Sequence, residues 1–164
     1  MKPRFLIICA FVLFAINPVV RAQQPADTLT ATCSYSDGNQ ISLRYNKVSE
    51  KEKISDGKVW APGGSAMLLF TQVPVTVANV TIPVGAYGVY LVPQKHSWTL
   101  VINKGVGETS KYDMQQDLVR AEMESGQLPS PEKFNVQFGH IGEKQCTMRV
   151  YYQKIGAFTD FMEK

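Results

Sequence analysis

Apolar and polar side chains alternate along the first part of the chain as half-buried β-strands require. The stretch 40–45, Gln-Ile-Ser-Leu-Arg-Tyr, places every second residue on one apolar face. A second run, 29–36, precedes it. The turn between the two runs contains Asp37 and Gly38, a pair that readily takes positive φ. The pattern predicts a β-hairpin at the start of the folded chain.

Short apolar or alternating runs, separated by glycines, prolines and polar residues, continue to the end of the chain. The runs that we interpret as further strands are 66–73, 75–82, 85–92, 98–104, 134–141 and 145–153. The phase of the alternation changes at Ala78-Asn79, which indicates a tight turn or a bulge. In the run 85–92, we expect Tyr87 and its alternate apolar neighbours to face the core.

The segment 112–126 allows two interpretations. Asp113 could cap a helix that carries Met114, Leu118 and Met123 roughly on one face. Propensity therefore favours a short helix, whereas the surrounding strands favour extended chain. We interpret the Pro-rich stretch 128–133 as a connection and the polar stretch 46–58 as an exposed loop.

These elements together predict an all-β protein. The expected fold is an antiparallel β-sandwich of roughly 8–10 short strands with at most one short helical turn.

The first 22 residues have the features of a secretory signal peptide. Lys2 and Arg4 precede an uncharged apolar run, 5–16, and small residues at Val20 and Ala22 suit cleavage after Ala22. The apolar run is too short to span a membrane, so an uncleaved anchor is the weaker alternative. We expect one domain, 23–164, in the periplasm or outside the cell.

Removal of the signal peptide changes the charge balance. The signal carries three of the 17 Lys and Arg residues and no acid, so 14 basic residues remain against 14 acidic ones. A mature chain with no net charge and no basic run is a poor match for nucleic acid or for an anionic membrane surface. We therefore expect neither as a partner.

Two cysteines, Cys33 and Cys146, remain after cleavage. In an exported chain, a disulfide between them on neighbouring strands is the simplest interpretation. Two buried free thiols are the alternative, and a catalytic or metal-binding pair is disfavoured because no His lies close in sequence and no Cys-x-x-Cys is present.

No stretch of the chain carries a recognisable catalytic or metal-binding motif. His96 and His140, with Glu143 near the second, could form a zinc or acid–base site, but they lack the spacing that preorganises two ligands. Asp113 and Asp117 share a face only on a helix. Ser65 in Pro-Gly-Gly-Ser-Ala is not in a nucleophile elbow or a phosphate loop. We assign no catalytic residue, no metal and no cofactor.

The two tryptophans are the remaining candidates for ligand binding. Aromatic rings on the surface of an exported β-protein can stack on a ligand, although Trp is more often a core residue. Trp98 begins an alternating strand and is expected in or at the edge of the core. Trp60 precedes a Pro-Gly-Gly turn and is expected to be the more exposed of the two.

Several blocks in order resemble a family of exported bacterial proteins, domain of unknown function 2911. The matching blocks are YSDGNQISLRY, GKVWAPGG, VTIPVGAYGVYLVP, WTLVINK, YDMQQDLVR and LPSPEKFNVQF. The resemblance implies a β-sandwich, a signal peptide and an extended conformation for 118–123, and it implies no reaction. The chain departs from the family pattern after Trp60, where Ala61 to Met67 replace an expected polar stretch with Arg, Asn and Glu.

The sequence thus favours an exported, non-catalytic binding or interaction module whose partner is a protein or a small or glycan ligand. The altered edge at 59–67 is the surface that we expect to carry function. The alternative is a glycan-acting or other hydrolytic enzyme that uses dispersed carboxylates and a His. The two hypotheses differ in whether Trp60, His96, His140 and Glu143 converge on one cleft.

Overall fold

The computed structural model describes residues 28–106 and 111–164, and the signal peptide predicted at 1–22 lies outside them. Nine strands form one antiparallel sheet in the order β1-β2-β3-β6-β7-β8-β9-β4-β5. The strands are β1 (Thr28–Ser34), β2 (Gln40–Asn46), β3 (Met67–Thr71), β4 (Val75–Val77), β5 (Val80–Ile82), β6 (Gly85–Pro93), β7 (Trp98–Asn103), β8 (Asp117–Gly142) and β9 (Gln145–Glu163).

The turns predicted from the sequence are present. β1 and β2 pair from Thr28↔Asn46 to Ser34↔Gln40, around a turn in which Gly38 has φ 90°. Ala78 and Asn79, with φ of 45° and 65°, form a two-residue turn between β4 and β5. Two residues of positive φ match the right-handed twist of a hairpin, so the phase change in this run is a turn and not a bulge.

The prediction of short strands and one helical turn needs correction. β8 has 26 residues and β9 has 19, and two short 3-10 turns are present, at Pro62–Gly64 and Met114–Gln116. Among the described residues no α-helix occurs, and none forms a helix long and apolar enough to cross a membrane. Residues 118–123 are extended, as the family resemblance implied.

The Pro-rich connection predicted at 128–133 lies inside β8. The pairing of β8 with β9 shifts register between Gln127 and Glu132, the interval that contains Pro129 and Pro131. Proline cannot donate to a ladder, so the chain stays extended there while the pairing is interrupted. β8 pairs with β7 before this point, up to Met123, and with β9 from Glu124 onward.

β9 turns back on itself near Gln153. The Thr147 hydroxyl donates a hydrogen bond to the Asp160 carboxylate, and the Glu163 N–H donates to the Lys144 carbonyl at 2.8 Å. Residues 13 positions apart on a straight strand would be separated by ~40 Å. Gln153, midway between them, has φ 53°. We call residues 145–152 the first arm of β9 and residues 155–163 the second arm.

The sheet curls so that distant strands face each other across the core. Cys33 of β1 and Cys146 of β9 form a disulfide with a Cα–Cα distance of 6.2 Å. The Val136 N–H of β8 donates to the Tyr45 hydroxyl of β2 at 3.2 Å. The disulfide prediction is confirmed, but β1 and β9 are not neighbours in the sheet as expected; the curl of the sheet brings them together. The observed architecture is one open antiparallel sheet, so the all-β class is confirmed, while the two layers of a sandwich are not shown.

The interior is one large apolar cluster with a smaller one on the opposite face of β6. Tyr87, Val89 and Leu91 contribute to the large cluster, as their alternation predicted. Tyr90 and Val92 point the other way and are also buried, beneath the segment around Val59 and Ala61 and beneath Tyr112. β6 is therefore covered on both faces.

Candidate ligand-binding trough

Two adjoining cavities form a trough on the outer face of the β8–β9 ladder. A central cavity of about 400 Å³ shares Thr147 and Phe158 with a second, of about 420 Å³, which contains Asp160. A third cavity, of about 240 Å³, lies against His96 and Trp98 on the core-facing side of the ladder, where Ser125, Gln127 and Ile155 line it. We call these the central cavity, the Asp160 cavity and the His96 cavity, and the first two together the trough.

The fold-back of β9 creates the central cavity. Along the first arm, Met148, Val150 and Tyr152 are buried in the core, so the alternate residues Thr147, Arg149 and Tyr151 face away from it. The second arm lies antiparallel beside the first and contributes Phe158 to the same surface. Outward side chains of two arms thus line one concavity.

Two glycines leave the floor of the central cavity open. Gly126 of β8 and Gly156 of β9 are directly paired across the sheet and both line the cavity. A Cβ atom at Gly156 would lie 3.2 Å from the Leu128 side chain and 3.5 Å from the Tyr151 ring. The absence of side chains at this pair keeps the concavity between Leu128 and Tyr151.

The walls of the central cavity combine aromatic and charged groups. The Phe158 ring is 39% exposed, and Tyr151 is half-buried beside it. The Arg149 guanidinium lies close to Gly139 of β8, where the lack of a side chain leaves room for it. A guanidinium offers several directed donors, and aromatic rings offer flat apolar faces.

The Asp160 cavity brings acidic and apolar side chains together. Glu122, Glu124 and Asp160 line it, with Ile141, which is exposed, at its rim. Thr147 donates to one carboxylate oxygen of Asp160 and fixes that side chain.

The His96 cavity lies where the turn between β6 and β7 meets β8. Lys95 and His96 come from the turn, and Ser125 from β8. The Trp98 N–H donates to the Ser125 hydroxyl at 3.1 Å, and that hydroxyl donates to the Met123 carbonyl at 3.2 Å. These bonds hold the turn against β8.

The two tryptophans predicted as ligand-binding residues are both buried. Trp60 is 8% exposed and Trp98 is 2% exposed, and their ring centroids lie 6.0 Å apart. Trp60 is the more exposed of the two, as expected, but it is buried as well: its indole N–H donates to Glu52 Oε1 at 2.6 Å, because the loop after β2 folds over the ring. Trp98 belongs to the core and also borders the His96 cavity. A role in ligand binding remains a prediction for both residues.

The other polar residues considered from the sequence do not converge on one cleft. His96 lies at the turn between β6 and β7, whereas His140 and Glu143 lie at the turn between β8 and β9. None of these three cavities is lined by residues 59–67. Within residues 28–106 and 111–164, no group of three or more His, Cys, Asp or Glu side chains could hold a metal ion.

The carboxylates of Asp113 and Asp117 accept hydrogen bonds from neighbouring residues at the start of β8. Asp113 caps the second 3-10 turn and accepts from the Gln115 N–H at 3.0 Å. Asp117 accepts from Asn103 at 2.7 Å, from the Tyr112 hydroxyl at 2.7 Å and from Arg120 at 2.9 Å. Burial, reinforced by Asp117, raises the pKa of Tyr112. This network ties the chain before β8 to β7.

The trough residues were not identified from the sequence. The available signal was the pair of glycines in otherwise strand-like stretches, since Gly inside a strand often marks a site of close approach. Their pairing depends on the register shifts of the β8–β9 ladder between Gln127 and Asn135, which the pattern of residues along β9 does not reveal.

The chain belongs to a family defined by sequence, and its all-β fold and the extended conformation of 118–123 agree with what that resemblance implied. The model of the DUF2911 family, described as proteins of unknown function, matches residues 22–159. The chain matches no curated protein and no solved structure.

Proposed function

We propose that this protein is an exported, non-catalytic binding module that holds an extended ligand in the trough. The observation that carries the proposal is that the central and Asp160 cavities adjoin on one face of the β8–β9 ladder, where they share Thr147 and Phe158. Ligand sites are concave and combine apolar walls with a few directed polar groups. Phe158, Tyr151 and Arg149 supply that combination in the central cavity.

The disulfide suggests an oxidising, extracytoplasmic location, because such bonds persist in exported proteins. The finer proposal is export through a signal peptide cleaved after Ala22, to the periplasm or beyond the cell. We also retain the two-layer sandwich as a proposed description of the curled sheet, supported by the contacts that cross its core.

Binding in the trough can be followed by isothermal titration calorimetry, which needs no fluorophore at the site. A panel of linear oligosaccharides and short peptides would be titrated into the protein. We expect at least one probe class to give a binding isotherm, and Phe158→Ala to weaken its binding about tenfold or more, because a ring at the centre of a site contributes most to affinity.

Phe70→Ala is the matched control. Phe70 is 37% exposed, close to the 39% of Phe158, but it lies on β3 under the Arg44 guanidinium and outside the trough. It should leave the affinity unchanged. Equal effects of the two substitutions, or an unchanged affinity in Phe158→Ala, would contradict the assignment of the trough.

A hydrolytic enzyme is the second candidate, because Glu122, Glu124 and Asp160 line one cavity. Pairs of carboxylates perform acid–base and nucleophilic steps in glycoside hydrolysis. Release of reducing ends from a linear oligosaccharide, lost in Glu122→Gln and Glu124→Gln but not in Glu143→Gln, would favour this candidate over the binding module.

A further inference from the structure

The Arg149 guanidinium lies where the two cavities of the trough adjoin. Arg149 lines the central cavity, and a Cβ atom at Gly139 would lie 3.3 Å from Arg149 Nη2 and 3.6 Å from Ile141 Cδ1. Ile141 in turn lines the Asp160 cavity, which also contains the carboxylates of Glu122, Glu124 and Asp160. A ligand in the trough therefore meets a guanidinium and carboxylates close together, without separation by sign.

The charged groups of the trough retain capacity to bind a ligand. Among residues 28–106 and 111–164, no group forms a hydrogen bond or an ion pair with the side chains of Arg149, Glu122 and Glu124. Thr147 donates to one oxygen of the Asp160 carboxylate, so the second oxygen can still accept. A guanidinium only donates hydrogen bonds and a carboxylate only accepts them, so the trough offers both kinds of partner.

An exposed aromatic ring lies directly beside two of these acceptors. Phe158 is opposite Glu124 in the pairing of β8 with β9, and the Cβ atoms of residues directly opposite are ~4.5–5.5 Å apart. Asp160 follows two positions along the second arm, on the same outward face. Phe158 therefore offers a flat apolar surface with carboxylates at its edge.

A sugar ring matches this combination of groups. One face of a pyranose carries C–H groups that pack on an aromatic ring, and its rim carries hydroxyls, each of which both donates and accepts hydrogen bonds. An anionic ligand would meet repulsion from the carboxylates. A cationic ligand would cover the half-buried Arg149 guanidinium and leave it without an acceptor, at a cost in free energy.

Building on the proposed function, we propose that the ligand of the trough is an uncharged glycan. One sugar ring packs on Phe158 and donates hydroxyl hydrogen bonds to Glu124 and Asp160, while the next sugar accepts from Arg149. A linear chain of several sugars suits the site because the central and Asp160 cavities adjoin.

Isothermal titration calorimetry with matched hexasaccharides tests the inference. Three probes are uncharged: cellohexaose, maltohexaose and chitohexaose. Two are charged: the glucosamine hexasaccharide, which is cationic, and the glucuronate hexasaccharide, which is anionic. We expect at least one uncharged probe to bind about tenfold more tightly than both charged ones. Its affinity should change little between low and high salt, because no ion pair forms.

Two substitutions with opposite effects on charge identify an uncharged ligand. Arg149→Gln and Glu124→Gln should each weaken binding of that probe about five- to tenfold, because each replaces a charged hydrogen-bond partner by a weaker neutral one. A charged ligand would instead be weakened by one substitution and strengthened by the other. Asp56→Asn, at an exposed position outside the trough, is the control and should leave the affinity unchanged. Strengthened binding in either trough variant, or tighter binding of a charged probe, would overturn the inference.

The failure of this inference can be distinguished from failure of the proposed function. If a short peptide binds in a Phe158-dependent way and no hexasaccharide does, the glycan assignment is wrong and the binding function stands. If no hexasaccharide and no peptide binds, both are overturned.

Discussion

Tyr35 and Tyr90 bury hydroxyl groups that have no hydrogen-bond partner among the described residues. A buried, unpaired hydroxyl costs free energy because it has left water without compensation. Burial also disfavours the phenolate, and the nearby Glu163 carboxylate adds to this at Tyr35, so the pKa of Tyr35 is raised to about 12. For Tyr90 the pKa is raised by burial and by Asp117.

The substitution Tyr35→Phe should reduce the loss of stability in alkali. The pKa of Tyr35 is raised from 10.0 to about 12 on folding, so the folded state retains its proton where the unfolded state has released it. The contribution of this group to the free energy of unfolding is therefore fully present below pH ~10. As the pH rises toward ~12, the free energy of unfolding falls by about 2 kcal/mol because of this group. Urea unfolding of wild type and variant between pH 8 and 12 measures the difference.

At pH 7, Tyr35→Phe should leave the free energy of unfolding unchanged or raise it slightly, since it removes an unpaired hydroxyl without changing the ring. Tyr87→Phe serves as a control, because the Tyr87 hydroxyl donates to the Pro83 carbonyl at 2.9 Å. Loss of that bond should destabilise the protein by about 1 kcal/mol. A marked loss of stability in Tyr35→Phe at pH 7 would show that its hydroxyl has a partner.

At the level of elements, the loop between β2 and β3 is less free than its composition indicates. Its polar residues predict an exposed loop, yet Glu52 accepts hydrogen bonds from the Trp60 indole at 2.6 Å and the Gly63 N–H at 3.2 Å. The Tyr152 hydroxyl donates to the Glu52 carbonyl at 2.8 Å, and Ile54 packs against the core. These contacts hold the loop over the buried rings of Trp60 and Tyr152.

Glu52→Ala should therefore destabilise the protein by about 1–3 kcal/mol, because it leaves the buried indole N–H of Trp60 unpaired. Glu50→Ala, two residues earlier, is the control. Glu50 pairs with Lys133 at 2.9 Å, but both side chains are largely exposed, and exposed pairs contribute little. Urea unfolding of both variants measures the contrast, and equal effects would contradict the role given to Glu52.

Local patterns predicted the elements that local chemistry determines. Asp37-Gly38 and Ala78-Asn79 identified two turns, and the alternation at Tyr87 identified the buried face of β6. Parts of β8 and β9 were predicted as strands, but their full length and the fold-back of β9 were not, because these depend on tertiary contacts. Pro129 and Pro131 are a signal for a connection, but flanking pairs with β9 keep the chain extended through them. Trp60 is buried although a Pro-Gly-Gly turn follows it, because Glu52, eight residues earlier, covers the ring.

On the scale of the whole molecule, the Cys33–Cys146 bond connects the first strand with the first arm of β9. It lies beside Gln145 and Thr147, which line the Asp160 cavity, so the bond also anchors one wall of the trough. The pairing of these cysteines was accessible from the sequence because only two lie outside the predicted signal peptide. The curl of the sheet that brings the two cysteines together could not be predicted from the sequence.

Loss of the disulfide in the double variant Cys33→Ser with Cys146→Ser should lower the free energy of unfolding by ~4–5 kcal/mol. The bond closes a loop with a sequence separation of 113, and in the chain-entropy model so long a loop restricts the unfolded chain strongly. Urea unfolding of oxidised wild type, reduced wild type and the double variant measures the effect. Reduced wild type and the variant should unfold at similar, lower urea concentrations.

The same experiment separates two roles of the bond. If the disulfide acts only by restricting the unfolded chain, the fully folded double variant should bind ligands in the trough with the affinity of the wild type. If it also holds the first arm of β9 in place, affinity should fall even where folding is complete, since Thr147 and Arg149 lie on that arm. We expect the second result, because Cys146 directly precedes Thr147, whose hydroxyl bonds Asp160 and joins the two arms. Full affinity in the folded variant would show that the hydrogen bonds between the arms suffice to shape the trough.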